Sequence, residues 1–213
     1  MINAAVGFTA IKQDPGEGFN DAIAAQNRAL SHFSHLEQLA LQIGATRLFV
    51  WGRGDLKETL HRMEDGSILL RVGSPIGDSD WDSIAKTFKD SSSFEECQPS
   101  WDGRYILLKI SPEGRQWVMW NDWLGSIPVF HHVTSNSTIA STLEPVVVAG
   151  AGLGPEDIFL PSLLSLLIHG NYISDWSLFK QMKVVRPDTV STWEDGDFSS
   201  TFLKTVLPSD SNW

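Results

Sequence analysis

Short apolar runs separated by turn residues dominate the pattern of the chain between residues 101 and 144. The three runs are Tyr105–Ile110, Gln116–Trp120 and Ile127–Val133, and clusters of Gly, Pro, Ser and Asn lie between them. This pattern predicts consecutive antiparallel strands. The loop Asn121–Pro128 places a carboxylate, a glycine and a proline at fixed offsets between two of these strands. We therefore expect a sheet with a sharp loop at its centre.

The first half of the chain alternates between strand-like and helix-like patterns. Apolar residues at helical spacing, followed by Gly44, predict a long helix over Asn20–Ile43. Asp65-Gly66 is a strong hairpin signal between two apolar runs. The other predicted elements are the strands Ile2–Ile11 and Arg47–Trp51, the hairpin strands Leu56–Met63 and Ser67–Val72, and a short helix over Trp81–Phe88.

The second half adds two helices and a final hairpin. The predicted helices are Leu143–Ala149 and Pro155–His169, and the hairpin strands are Thr189–Trp193 and Phe198–Thr205. Strands and helices segregate in blocks, and the strands are joined by hairpins rather than by βαβ units. The sequence therefore predicts a layered α+β fold, which we expect to form a single domain over residues 1–213.

Composition and charge exclude several classes of function. The net charge is −10, and no cluster of Lys and Arg is present, which argues against nucleic acid or an anionic membrane as the main partner. Cys97 is the single cysteine, so an intrachain disulfide and a cysteine zinc site are excluded. The longest apolar run, Leu160–Ile168, is too short to span a bilayer. We expect a cytoplasmic protein without a metal or cofactor.

Five short motifs, in order, resemble those of a known family. From about Phe94 to Phe202 the chain is similar to the N-terminal glutaminase-like domain of asparagine synthetases, β-lactam synthetases and lasso-peptide cyclases, which are class II glutamine amidotransferases. The resemblance implies an Ntn-hydrolase-like fold, a four-layer αββα sandwich of antiparallel sheets. The motifs are Trp101–Tyr105, Trp120–Phe130, Ile139–Glu144, Leu166–Tyr172 and Ser177–Asp188.

The chemistry of that family depends on a nucleophile that this sequence lacks at the expected place. Members attack glutamine with the residue exposed at their own N-terminus, normally a cysteine. The second residue here is Ile2, and Cys97 lies in the predicted loop before the central strands. The comparison predicts no catalytic residue and no glutaminase activity.

Four residues remain as candidates for a vestigial pocket or loop. The family's oxyanion segment is best matched by Gly73–Asp78, in which Gly73 replaces the asparagine donor, Ser74 follows it and only Ile76 is kept. Arg53, in Trp51–Asp55, is a candidate binder of a carboxylate. Asp122 follows Asn121 where the family has an arginine, and we expect its carboxylate to accept backbone N–H groups in the loop.

Three functional hypotheses follow. The first is a catalytically degenerate amidotransferase-like domain that acts as a structural or docking module for an ATP-dependent amide or lactam synthetase domain or subunit. The second is an active Ntn hydrolase that exposes Thr9 by cleaving itself. The third is a small-molecule binding module that uses the tryptophan-rich sheet.

Overall fold

A computed structural model describes residues 3–13, 17–76, 80–84 and 102–202. Twelve strands and three helices of more than one turn lie within these ranges. The helices are α1 (Glu17–Leu30), α2 (Glu144–Gly150) and α3 (Leu160–His169), and 3-10 turns cover Leu56–Thr59 and Pro155–Asp157. The strands are β1 (Ala4–Gln13), β2 (Glu37–Ile43), β3 (Thr46–Arg53), β4 (Leu60–Arg62), β5 (Ile68–Ile76), β6 (Asp102–Ile110), β7 (Gln116–Asn121), β8 (Phe130–Val133), β9 (Ser137–Ser141), β10 (Lys183–Val184), β11 (Thr189–Glu194) and β12 (Asp197–Phe202).

Strand β1 lies at the centre of the sheet. It pairs antiparallel with β3 on one side and with β9 on the other, and these neighbours continue to β2 and to β8 and β10. A second antiparallel series runs β4-β5-β6-β7-β11-β12. One parallel bridge, from Ala5 to Val72, joins the two series. The described strands therefore form one curled sheet with two limbs.

Alternating side chains on each strand fill separate apolar layers. In β6, Leu108 packs between the two limbs of the sheet with Phe8, whereas Leu107 faces the outer side with Trp120. Such alternation follows from the two-residue repeat of a strand. On the outer side of the other limb, α1 and α2 cover β1 and β9 through an apolar cluster that contains Ala22, Val146, Ile11 and Ile139. The predicted mixture of helices, hairpins and antiparallel strands is confirmed.

The predicted four-layer sandwich is not confirmed. Over the outer side of β5 to β11, the described helical residues are 81–84, in which Ile84 packs against the sheet. The rest of the helix predicted over 81–88 lies outside the described residues, as do Cys97 and Trp101. The parallel bridge to β5 also joins the two limbs, which the prediction treated as separate sheets.

The predicted helix over Asn20–Ile43 is wrong in its second half. Helix α1 ends at Leu30, and Glu37–Ile43 forms β2, whose residues pair with β3 from Glu37 opposite Gly52 to Ile43 opposite Thr46. Leu39, Leu41 and Ile43 repeat every second residue, so the same segment also satisfies strand periodicity. Tertiary pairing with β3 decides between the two patterns.

Three other predicted elements differ in their bounds, and one of them is the strand predicted over Ile127–Val133, which begins only at Phe130. The segment predicted as one strand over Leu56–Met63 divides into a 3-10 turn and the short strand β4. The helix predicted over Pro155–His169 divides into a 3-10 turn and α3, which begins only at Leu160 with a proline in its first turn. Proline fits a first helical turn because it needs no N–H partner there.

A buried histidine lies where β8 approaches β11. His131 is 3% exposed, and the indole Nε1 of Trp193 donates to its Nδ1 at 3.3 Å. The ring of Phe198 lies 4.2 Å from the imidazole ring. A neutral His131 therefore carries its proton on Nε2. Burial in this apolar setting is the main cause that lowers the pKa of His131 to about 3.

This histidine should make the fold sensitive to acid. Below the ordinary pKa of 6.5 the unfolded chain takes up a proton at His131 that the folded chain does not, so stability falls until the pH reaches about 3. The loss at this one group is on the order of 5 kcal/mol. We expect urea titrations from neutral to acidic pH to show a steeper loss for the parent chain than for His131→Gln, which does not titrate. Parallel stability curves for the two proteins would contradict this assignment.

Candidate functional site

An open cleft forms where three strand ends meet. The end of β3 pairs with both the start of β1, Ala4 opposite Arg53, and the start of β2, Glu37 opposite Gly52. The cleft has a volume of about 650 Å³. The residues that line it come from the start of β1, the segment before β2, β2 itself, and the end of β3 with the turn that follows. They are Asn3, His35, Glu37, Gln38, Leu39, Arg53, Gly54, Asp55, Leu56 and Lys57.

Asn3 ties the start of β1 to the turn after β3. Its Oδ1 accepts the backbone N–H of Asp55 at 2.9 Å, and its Nδ2 donates to the carboxylate of Glu58. Asp55 in turn caps the 3-10 turn by accepting the N–H of Lys57 at 3.0 Å. Gly54 has a φ of +73°, and a Cβ there would lie 2.1 Å from the Asn3 Oδ1. The hydrogen-bonding groups of the Asn3 amide are therefore used structurally.

Arg53 is a cationic residue on the lining of this cleft, as is Lys57. Its side chain is exposed, and no carboxylate among the described residues forms an ion pair with it. Glu37 and Asp55 supply negative charge on the same lining. A guanidinium binds carboxylates through two parallel N–H donors. The cleft can therefore hold a small molecule that carries both a carboxylate and an amine.

Gly73 and Ser74 do not line this cleft. Both lie on β5, where Gly73 has a φ of +84° and a Cβ would lie 2.2 Å from the carbonyl oxygen of Arg104 on β6. Close approach of the two backbones requires glycine at this position. Ser74 is exposed beside it.

Asp122 organises the loop between β7 and β8 from a buried position. The residue is 1% exposed. Its carboxylate accepts the backbone N–H groups of Tyr105 at 3.3 Å, Leu124 at 3.0 Å and Ser126 at 3.1 Å, and the Ser126 hydroxyl at 3.0 Å. The carboxylate holds one loop in shape and joins it to β6, so it is not available to a ligand.

The neighbouring amide joins this loop to the segment before β11. The Asn121 Nδ2 donates to the Arg186 carbonyl at 2.7 Å, and its Oδ1 accepts the Thr189 N–H at 3.2 Å. The Asp122 carbonyl accepts the Asp188 N–H at 3.3 Å. The Asn121 side chain thus joins the end of β7 to residues 186–189.

Tyr105 stays neutral beside this network. Burial is the main cause that raises its pKa, and the charge of Asp122 adds to it, so that the pKa reaches about 12. The phenol therefore carries its proton at any physiological pH and adds no charge to the loop.

Thr9 lies in the middle of β1 and is fully buried. It is paired on both sides, opposite Phe49 of β3 and Ser141 of β9. The Thr9 Oγ1 lies 2.8 Å from the Ser141 Oγ, and that hydroxyl donates to the Phe8 carbonyl at 3.2 Å. Cleavage before Thr9 would remove Ala5 and Phe8 from the core between the sheet limbs.

The described residues offer neither a metal centre nor a membrane span. No group of three or more His, Cys, Asp and Glu side chains in the described ranges could hold a metal ion. Among the described helices, none is long and apolar enough to cross a bilayer.

Sequence reasoning missed Asn3 and Glu37 as members of the cleft. Glu37 was hidden because its segment was predicted as helix, which places it far from Arg53. Asp55 carries a readable signal, since an aspartate before a turn of helix is a common N-cap. Asn3 carries no such signal, because its partners lie more than fifty residues away.

Structural comparison identifies the fold. The chain is similar to glutamine phosphoribosylpyrophosphate (PRPP) amidotransferase from B. subtilis, complexed with ADP and GMP, with a TM-score of 0.53 and 10% identity over 93% of this chain and 49% of that chain. A structure described as the allosteric regulatory enzyme of purine biosynthesis has a TM-score of 0.49 and 12% identity over 95% of this chain and 44% of that chain.

The first comparison shows the Ntn-hydrolase fold of class II glutamine amidotransferases, and at 10% identity it shows the fold alone. The chain spans about half the length of the two structures it matches. No protein-family profile and no curated protein matches the sequence.

The Asp122 network predicts a large loss of stability on truncation. Asp122→Ala leaves several buried N–H donors without an acceptor, each at a cost of about 1–3 kcal/mol. We expect the free energy of unfolding in urea to fall by about 3 kcal/mol or more. Ser126→Ala, the matched control, removes one donor and should lose about 1 kcal/mol. Equal small losses in both variants would contradict the role of the carboxylate.

Proposed function

We propose that this chain is a glutamine amidotransferase-type domain that has lost the glutaminase reaction. In this proposal it serves as a structural or docking module of an ATP-dependent amide-forming enzyme of the asparagine synthetase type. It has no catalytic residue or cofactor of its own, and it works in the cytoplasm.

The observation that carries the proposal is the composition of the start of β1. An Ntn hydrolase presents its nucleophile as the first residue of the chain. Residues 3–8 read Asn-Ala-Ala-Val-Gly-Phe, and Ile2 precedes them. A chain that began at any of residues 2–8 would expose a side chain without a thiol or hydroxyl.

Hydrogen bonding at the cleft supports the same conclusion. Asn3 uses its amide to bind Asp55 and Glu58. The position equivalent to the asparagine of the family's oxyanion segment is Gly73, which has no side-chain donor for a tetrahedral intermediate. The position of Thr9 inside a doubly paired strand gives it a structural role.

The proposed partner rests on what the chain keeps and on its length. The motifs between 94 and 202 resemble the glutaminase-like half of amide-forming synthetases, and the chain spans about half of the similar PRPP amidotransferase. The serine-glycine-glycine-x-aspartate loop that binds ATP phosphates in those synthetases is absent from these 213 residues. A separate domain or subunit would therefore supply the ATP-dependent step.

A glutaminase assay tests the loss of activity. We expect the purified chain, incubated with glutamine, to release glutamate no faster than buffer does, because no activated nucleophile is present. Thr9→Val and Cys97→Ala are the matched controls, and both should give the same background. Glutamate release that disappears in either variant would overturn the proposal.

A second candidate function is the binding of a free amino acid in the cleft. The observation that favours it is the exposed Arg53 on the lining of a 650 Å³ cleft that Glu37 and Asp55 also line. Arg53 would bind the ligand's carboxylate, and the acidic side chains would bind its ammonium group. Such a domain would retain a ligand although it performs no chemistry.

Thermal denaturation with added glutamine tests this second function. At ten times its dissociation constant a ligand stabilises the folded state by roughly 1.4 kcal/mol, which raises the melting temperature of a domain of this size by roughly 3–5 °C. We expect Arg53→Gln to abolish the shift. Arg62→Gln, an exposed arginine of β4 outside the cleft, should retain it. An equal shift in both variants, or no shift in the parent chain, would contradict binding by Arg53.

A further inference from the structure

Helix α3 has its small polar residues inside and its large apolar residues outside. Ser162 and Ser165 are buried, at 0% and 5% exposure, whereas Leu167 and Ile168 are 72% and 71% exposed. We use "the α3 face" for the outward apolar side chains of the helix and its flanks, each at least 38% exposed: Ile158, Leu160, Leu164, Leu167, Ile168 and Ile173.

A local contact holds Ser165 inward, whereas the buried hydroxyl of Ser162 has no hydrogen-bond partner among the described residues. The Ser165 Oγ donates to the Asn171 carbonyl at 2.9 Å, which ties the helix to the loop that follows it. Gly170 ends the helix in the left-handed conformation with a φ of +75°. With Ser165 held inward, Leu160, Leu164 and Leu167 lie on the exposed side of the helix. Full burial of each would contribute about 1.5–3 kcal/mol, and exposed patches of this kind mark interaction sites.

Charge distribution indicates which occupant fits the α3 face. The net charge of −10 would repel a second copy of the chain over most of its surface. Residues 158–174, however, contain no Asp, Glu, Lys or Arg. Two α3 faces can therefore approach each other without bringing like charges together. Exposed Glu156 lies before the helix, and exposed His169 lies in its last turn. A carboxylate is therefore present at one end and an imidazole N–H donor at the other.

We propose that the α3 face is a two-fold interface between two copies of this chain. An antiparallel pair of α3 helices centred on Leu164 places Leu160 of each copy against Ile168 of the other, in an isologous contact. The same arrangement directs Glu156 towards the end of the helix that carries the second copy's His169. The apolar repeat at positions 160, 164, 167 and 168 has the spacing of one helical face.

The size of the interface sets its strength. The helix is about 15 Å long, and six apolar side chains on each copy are fewer than the roughly 20–30 residues of a standard interface. We therefore expect a dissociation constant in the micromolar range, and a mixture of monomer and dimer at ordinary concentrations. The interface is independent of the proposed function, because the outcome of a glutaminase assay does not affect it.

Sedimentation velocity over a concentration series tests the interface. Between about 1 and 100 µM we expect the weight-average mass of the parent chain to rise from monomer towards dimer. Leu167→Lys should weaken association at least tenfold. This substitution makes the net charge less negative, so general repulsion cannot explain the loss. The matched control is Leu124→Lys, which makes the same substitution at a leucine that is 62% exposed on the Asp122 loop. This variant should associate like the parent.

Three outcomes would overturn the proposal. The first is a parent chain that stays monomeric at the highest concentration, which would leave the α3 face to a different protein domain. The second is a Leu167→Lys variant, shown to be folded by circular dichroism, that dimerises like the parent. The third is a loss of association in Leu124→Lys alone, which would place the interface on the Asp122 loop.

Discussion

The pairing of β1 on both sides is the constraint on which the rest of the structure depends. Antiparallel contacts with β3 and β9, and the bridge from Ala5 to Val72, place this strand where the two limbs of the sheet meet. Phe8 and Ala10 then fill the core between the limbs, and Ile11 anchors the layer formed by α1 and α2. A strand with buried partners on every side cannot be shortened without loss of the core.

Several polar side chains near this strand and in the β7–β8 loop have structural roles. Asn3, at the start of β1, lines the cleft, and its amide holds the turn that follows β3. Asp122 likewise uses its carboxylate on backbone donors. Both side chains therefore bind other groups of the protein itself. Arg53 differs, because it lines the cleft, is exposed and forms no ion pair with a described carboxylate.

The parts of the fold that the sequence could predict are those with local signals. Strands β6 and β7, the Asp65-Gly66 turn and the final hairpin were predictable from alternation and turn residues. The segment Glu37–Ile43 was not, because its apolar residues satisfy both helical and strand spacing and only β3 decides between them. The cleft depends on that pairing, so Glu37 and Asn3 could not be placed beside Arg53. The inward position of Ser165 in α3 likewise accompanies a contact with Asn171 in the following loop.

We propose that this amidotransferase-type fold persists without an exposed N-terminal nucleophile, and intact-mass spectrometry of the purified chain after prolonged incubation at neutral pH tests this proposal. We expect a species in which Thr9 remains internal, with a mass close to 23.6 kDa. A species that has lost its first eight residues and begins at Thr9 would overturn the proposal, since self-cleavage would then have created the missing nucleophile.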